Sequence, residues 1–167
     1  MIKALFFDID DTLYSTTRFA ERARRNALKA MIAAGLKITE EDALAELNEV
    51  IAEFSSNYEH HYEKLLLRIP KAAEGLNPAI LVAAAVVAYH HTKQKELAPF
   101  PDVAAAFPRL AKAGLVLGII TSGVTVKQAE KIVRLWILPY LHPEGIFITE
   151  QIGISKPNPK LWHRAMK

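Results

Sequence analysis

Ile2-Lys3-Ala4-Leu5-Phe6-Phe7-Asp8-Ile9-Asp10-Asp11-Thr12-Leu13 opens the chain and decides how the rest is read. A nearly continuous apolar run ends in two carboxylates, Asp8 and Asp10. Such a run reads as a strand buried on both faces, the kind found in parallel sheets. Side chains alternate along a strand, so Asp8 and Asp10 fall on one side, roughly 7 Å apart along the chain. Two like charges so placed each disfavour the ionised form of the other. Something must offset them, and a divalent cation meets the need: Mg2+ is held in proteins by carboxylates together with phosphates.

The composition sets the outer bounds. A chain of 167 residues, 51% hydrophobic and 23% charged, folds as a globular protein and is not disordered. With no cysteine, neither a disulfide framework nor a thiolate metal site can form. The longest apolar stretch, Ala79 to Tyr89, is too short to span a bilayer and suits a buried helix. The N-terminus lacks the pattern of a secretory signal. A cytoplasmic protein with no membrane partner is the expectation. A net charge of +3 is too weak to argue for nucleic acid.

Three segments read as strands: Ile2–Phe7, Leu115–Ile120 and Gly145–Thr149. Helical patterns lie between and after them, which predicts an α/β fold with a parallel sheet. The interval between the first two strands is almost wholly helical. Phe19 to Ala34 is one helix stopped by Gly35. Thr39 to Asp42 has capping-box spacing, with Leu44, Leu47, Val50, Ile51 and Phe54 as the stripe behind it. Asn77-Pro78 reads as N-cap and first residue of a helix to about Leu97. Asp102 is placed to cap a helix running to Lys112, where Pro108 predicts a kink or a late start. Thr125 and Gln128 again have capping-box spacing, followed by an apolar stripe of Ala129, Ile132, Val133 and Trp136. Asn158-Pro159 starts a last helix, cut off at Lys167.

Two more strand ends carry chemistry. Thr121-Ser122-Gly123 follows the second strand, and open α/β sheets bind ligands beyond such ends. A hydroxyl and turn amides there suit a phosphate oxygen. Lys156-Pro157 follows the third strand, just before a helix start, where a lysine is unfavourable unless an anion intervenes. Taken singly, Thr121 reads as a partner of local backbone and Lys156 as an ordinary surface lysine. Asp-x-Asp-x-Thr, then Thr, then Lys-Pro, each after an apolar strand, resembles the first three motifs of the haloacid dehalogenase (HAD) superfamily in their order.

The resemblance implies a parallel Rossmann-like core, residues 1–14 and 98–167, with an α-helical cap inserted at 15–97. It implies a Mg2+-dependent phosphatase acting on a small phosphorylated metabolite through an aspartyl-phosphate. Asp8 would be the nucleophile, and Asp10 the acid and then the base, which requires carboxyl pKa values pushed apart. Mg2+ would be held by Asp8 and the main-chain carbonyl of Asp10. Thr121 and Lys156 would bind the phosphoryl group, with Thr12, Ser122, Gly123 and Arg18 the candidates for substrate binding. Tyr14, Ser15 and Arg18 are the candidates for specificity, and Asp11 reads as a turn or solvent residue. Arg18, Arg22, Arg25 and Lys29 recur at helical spacing as a basic, solvated face. The pairs His60-His61 and His90-His91 do not read as metal sites, because adjacent residues on a helix point apart.

The family's fourth motif, acids after a fourth strand, has no counterpart here, since no aspartate follows Asp102. The chain therefore reads as a truncated phosphatase, impaired or inactive, whose first strand is an unpaired edge open to self-association. Other readings are a 2-haloacid dehalogenase, which in that family lacks the second acid, a phosphomutase, and a catalytically silent binding or assembly module. A receiver-like phosphorylation switch also uses acids, a Thr and a Lys, but the helical insertion argues against it.

Overall fold

The computed structural model describes residues 2–166, so Met1 and Lys167 lie outside them. In chain order the elements are β1 (Ala4–Phe7), α1 (Thr16–Ala33), α2 (Glu40–Phe54), α3 (His61–Arg68), α4 (Pro78–Glu96), α5 (Pro101–Lys112), β2 (Val116–Thr121), α6 (Thr125–Arg134), β3 (Ile146–Ile148), α7 (Thr149–Ile152) and α8 (Pro159–Ala165). They fall into two compact units, Met1–Thr17 with Leu97–Lys167, and Arg18–Glu96.

The first unit is α/β. Its three strands are all parallel, in the order β1-β2-β3. Ala4 pairs with Val116 and Phe7 with Ile119, and Ile119 pairs in turn with Ile146. The middle strand, β2, is the one buried on both faces. The opening run is not, contrary to its apolar sequence: β1 lies at the sheet edge and is only half-buried. An unbroken apolar run reports affinity for the core but not the number of neighbouring strands.

The register requires a glycine in β2. A Cβ on Gly118 would lie 2.5 Å from the Phe6 ring and 2.6 Å from the carbonyl oxygen of Gly145. Phe6 packs edge-on to Phe147, and Phe7 packs against the buried Phe107 of α5, so aromatic contacts join the strands to one another and to a helix.

Three details differ from the sequence-based expectations. Phe100, not Asp102, takes the capping position of α5, with Pro101 at N1 and Asp102 in the first turn. Proline at N1 has its dihedral already set for a helix, so α5 starts there and runs through Pro108 without a late start. The Thr125–Gln128 capping box does not form, because Val124 takes the cap position with no side-chain bond. The buried face of α6 is Gln128, Ile132 and Leu135, whereas Ala129, Val133 and Trp136 are exposed, Trp136 by 80%. A search for an apolar stripe skips Gln128 and so selects the neighbouring face.

The second unit is helical. Ala27, Leu28 and Met31 of α1 pack with Ala43 and Leu47 of α2, Leu65 and Leu66 of α3, and Leu81 and Ala85 of α4. Thr39 caps α2 by accepting from the Asp42 amide at 3.1 Å, and Asn77 caps α4 by accepting from the Ala79 amide at 3.0 Å. Gly35 ends α1 with φ 111°, a conformation that favours glycine. Among the described residues, no helix is long and apolar enough to cross a membrane.

Candidate active site

The carboxyl ends of β1 and β2, the helix α6 and the loop between α7 and α8 supply the site. β1 ends at Phe7, so Asp8, Ile9 and Asp10 lie just past it. Ile9 is fully buried, and the carboxylates on either side of it are half-exposed. The chain then turns tightly, with the Thr12 and Leu13 amides both donating to the Ile9 carbonyl, at 3.3 and 3.0 Å. Asp11 takes a positive φ of 53° and accepts from the amide and hydroxyl of Thr17, fastening the turn to the start of α1.

Each of the paired acids has its own ammonium. Lys156 Nζ lies 2.9 Å from Asp8 Oδ1, and Lys131 Nζ lies 2.5 Å from Asp10 Oδ1. Lys156 is not at a helix terminus: α8 begins three residues on, capped by Asn158, and the anion beside the lysine is Asp8. Asp8 also accepts from the Ile9 amide at 2.8 Å.

Asp10 is held on every side. Its Oδ1 accepts from the Tyr14 hydroxyl at 3.0 Å and the Thr16 hydroxyl at 2.8 Å, besides Lys131. Its Oδ2 accepts from Gln128 Nε2 at 3.0 Å. Burial pushes the Asp10 carboxyl up, but bonds from Lys131, Thr16 and Gln128 and the charge of Lys131 outweigh it, so its pKa lies below the ordinary value. In this state Asp10 is a carboxylate, not a resting acid.

Thr121, at the end of β2, is completely buried, and its hydroxyl donates to Gln128 Oε1 at 3.2 Å. Ser122 is exposed. Gly123 has φ 131°, and a Cβ there would stand 2.7 Å from Gln128 Nε2, so this glycine makes room for the glutamine. Glu150 of α7 accepts from the Thr125 amide at 2.5 Å, which caps α6 from 25 residues away and lowers the Glu150 pKa. Arg18 belongs to the second unit.

The structure thus gathers Asp8, Asp10, Thr121 and Lys156, adds Gln128, Lys131 and Thr16, and places Tyr14, named from the sequence for specificity, in a hydrogen bond to Asp10. As site residues Gln128 and Lys131 leave only their spacing in the sequence: they stand three apart, on one face of the helix that follows Thr121. Among the described residues, no three His, Cys, Asp or Glu side chains gather to hold a metal ion. The donors present are hard oxygens, the Asp8 carboxylate and the Asp10 main-chain carbonyl. They fit Mg2+, which takes one or two carboxylates beside waters and substrate phosphates.

A family model for haloacid dehalogenase-like hydrolases matches residues 2–167. The chain is 49% identical over 170 residues to a glyceraldehyde 3-phosphate phosphatase of Methanopyrus kandleri, covering 100% of this chain and 70% of that one. It is 46% identical over 167 residues to the protein of the same name from Pyrococcus abyssi, covering 100% of this chain and 68% of the other. In structure it resembles a haloacid dehalogenase-like family hydrolase of Xanthomonas campestris, with a TM-score of 0.59 at 20% identity, covering 99% of this chain and 66% of that one.

Proposed function

Because the chain belongs to the haloacid dehalogenase-like hydrolases, we propose that it is a phosphatase that cleaves a small phosphomonoester, with glyceraldehyde 3-phosphate the first substrate to test. The observation that carries this reading is the cluster itself: two acids, two ammonium groups and a hydroxyl from two strand ends, the loop after α7 and one helix.

In this reading an oxygen of Asp8 attacks phosphorus, the P–O bond to the alkoxide breaks, and an aspartyl-phosphate forms. Asp10 gives a proton to the leaving oxygen. Water then attacks the same phosphorus, Asp10 takes its proton, and Asp8 is regenerated with release of inorganic phosphate. Lys156, beside Asp8, offsets charge on the phosphoryl oxygens, and Thr121 turns its hydroxyl toward one of them. Asp10, its pKa held below the ordinary carboxyl value, serves the second half-reaction in its base form. Its acid form needs a raised pKa, which the negative charge of a bound phosphoryl group supplies. Asp8 and the Asp10 carbonyl would hold Mg2+, which when bound offsets the charge of the phosphate oxygens. Thr12 secures the turn, and Ser122 and Gly123 stand as candidates for substrate contacts. In this account residues 1–14 and 98–167 supply the chemistry and 15–97 form the cap.

The presence of Asp10 favours phosphoryl chemistry over dehalogenation. The test is to measure phosphate release from glyceraldehyde 3-phosphate and from an aryl phosphate, with Mg2+ and with chelator, beside halide release from a 2-haloacid. Phosphate release that needs Mg2+ and is lost in Asp8→Asn supports the proposal. Halide release without phosphate release overturns it.

A further inference from the structure

We infer that Gln128 and Lys131 of α6 are positioning residues for the hydrolytic reaction, a role that rests on the reading of Asp8 and Asp10 above. Gln128 is 4% exposed, and both ends of its amide are used. A carboxylate only accepts hydrogen bonds, so the amide must turn Nε2 toward Asp10. Oε1 then faces Thr121 and accepts the hydrogen bond from its hydroxyl. One side chain thereby links the β2 strand end to the β1 strand end and sets which way Asp10 Oδ2 points. Lys131, with its side chain 15% exposed, holds the other oxygen. Gly123 reports the same demand from the backbone, since any side chain there would displace the Gln128 amide.

The two residues sit three apart, which puts them on one face of α6. Neither needs to touch the ester. Their effect is to fix the atom of Asp10 that delivers and collects the proton. Misplacing such an atom by about 1 Å costs on the order of 100-fold in rate. Binding of the phosphoryl group draws instead on Lys156, which neither Gln128→Leu nor Lys131→Met touches, and on Thr121, whose hydroxyl loses Gln128 as acceptor in Gln128→Leu and is left free to donate to the phosphoryl group.

The experiment measures kcat and KM for glyceraldehyde 3-phosphate, the dissociation constant of inorganic phosphate by calorimetry, and Tm, for the wild-type chain and for Gln128→Leu, Lys131→Met, Lys131→Arg and Asp8→Asn. Val126→Ala, on the exposed side of the same helix, is the control. The inference predicts a fall in kcat of ~10- to 100-fold in Gln128→Leu and Lys131→Met. It also predicts phosphate binding within about threefold of wild type, a small change by free-energy arithmetic. Lys131→Arg, which keeps the charge, recovers part of kcat. Unchanged kcat in both variants overturns the inference. Loss of phosphate binding together with a lowered Tm overturns it too, by showing a purely structural role. Activity that survives Asp8→Asn instead removes the reading beneath it, whereas a dead Asp8→Asn beside unaffected Gln128 and Lys131 variants removes this inference alone.

Discussion

Gly118→Ala tests the sheet on which the site is built. Gly118 pairs with Phe6 across β1 and β2, three residues before Thr121. The added Cβ would stand 2.6 Å from the Gly145 carbonyl oxygen, against an ordinary contact that begins at 3.4 Å, a shortfall of 0.8 Å. The Phe6 ring, 2.5 Å away, can swing only by giving up its packing on Phe147. The carbonyl cannot yield cheaply, because it is main chain directly before β3, which is paired to β2. Overpacking of this kind costs about 1–3 kcal/mol. For a protein of this size each kcal/mol lowers Tm by about 2–4 °C, so the expected fall is ~2–12 °C. Thermal melts followed by circular dichroism, with urea midpoints as a cross-check, read it directly. A Tm equal to wild type would refute the close approach of β1, β2 and the Gly145 segment.

Two further outcomes follow from local chemistry. Thr39→Ala removes the side-chain cap of α2 and is expected to cost about 1 kcal/mol in urea unfolding, while Thr39→Ser keeps the cap and stays near wild type. Asp10 has a lowered pKa in the folded state, so its contribution to stability is complete above the unfolded carboxyl value of about 3.9 and is lost as pH falls through the lower folded value. Lys131→Met removes the main ionic partner, so stability measured against pH below about 4 should fall less steeply than in wild type.

Legibility in the sequence followed the range of the interactions. Asp8 lies just past an apolar run, so its strand end is legible from hydropathy, while Lys156 is legible only from the Lys-Pro pair that follows the third apolar run at a distance. The caps at Thr39 and Asn77 were visible because the donor amides lie only two or three residues away. Lys131 and Gln128 were not visible as site residues, because their partners Asp10 and Thr121 are brought to α6 by the sheet. The same cause hides the cap of α6: Glu150, distant in sequence, accepts from the Thr125 amide at the start of that helix. The depth of β1 was overestimated because an edge strand and a central one can have the same apolar composition. Trp136 shows the reverse error, a large apolar side chain assigned to a core that Gln128 occupies.

The central claim is that Asp8, with Lys156 beside it, carries the phosphoryl group during turnover. The direct measurement is acid quenching during hydrolysis of glyceraldehyde 3-phosphate, followed by peptide mass spectrometry. The account predicts a phosphoryl group on the peptide at Asp8, absent from Asp8→Asn. Steady turnover with Asp8 unmodified at every quench time, or a phosphoryl group carried by another residue, would contradict it.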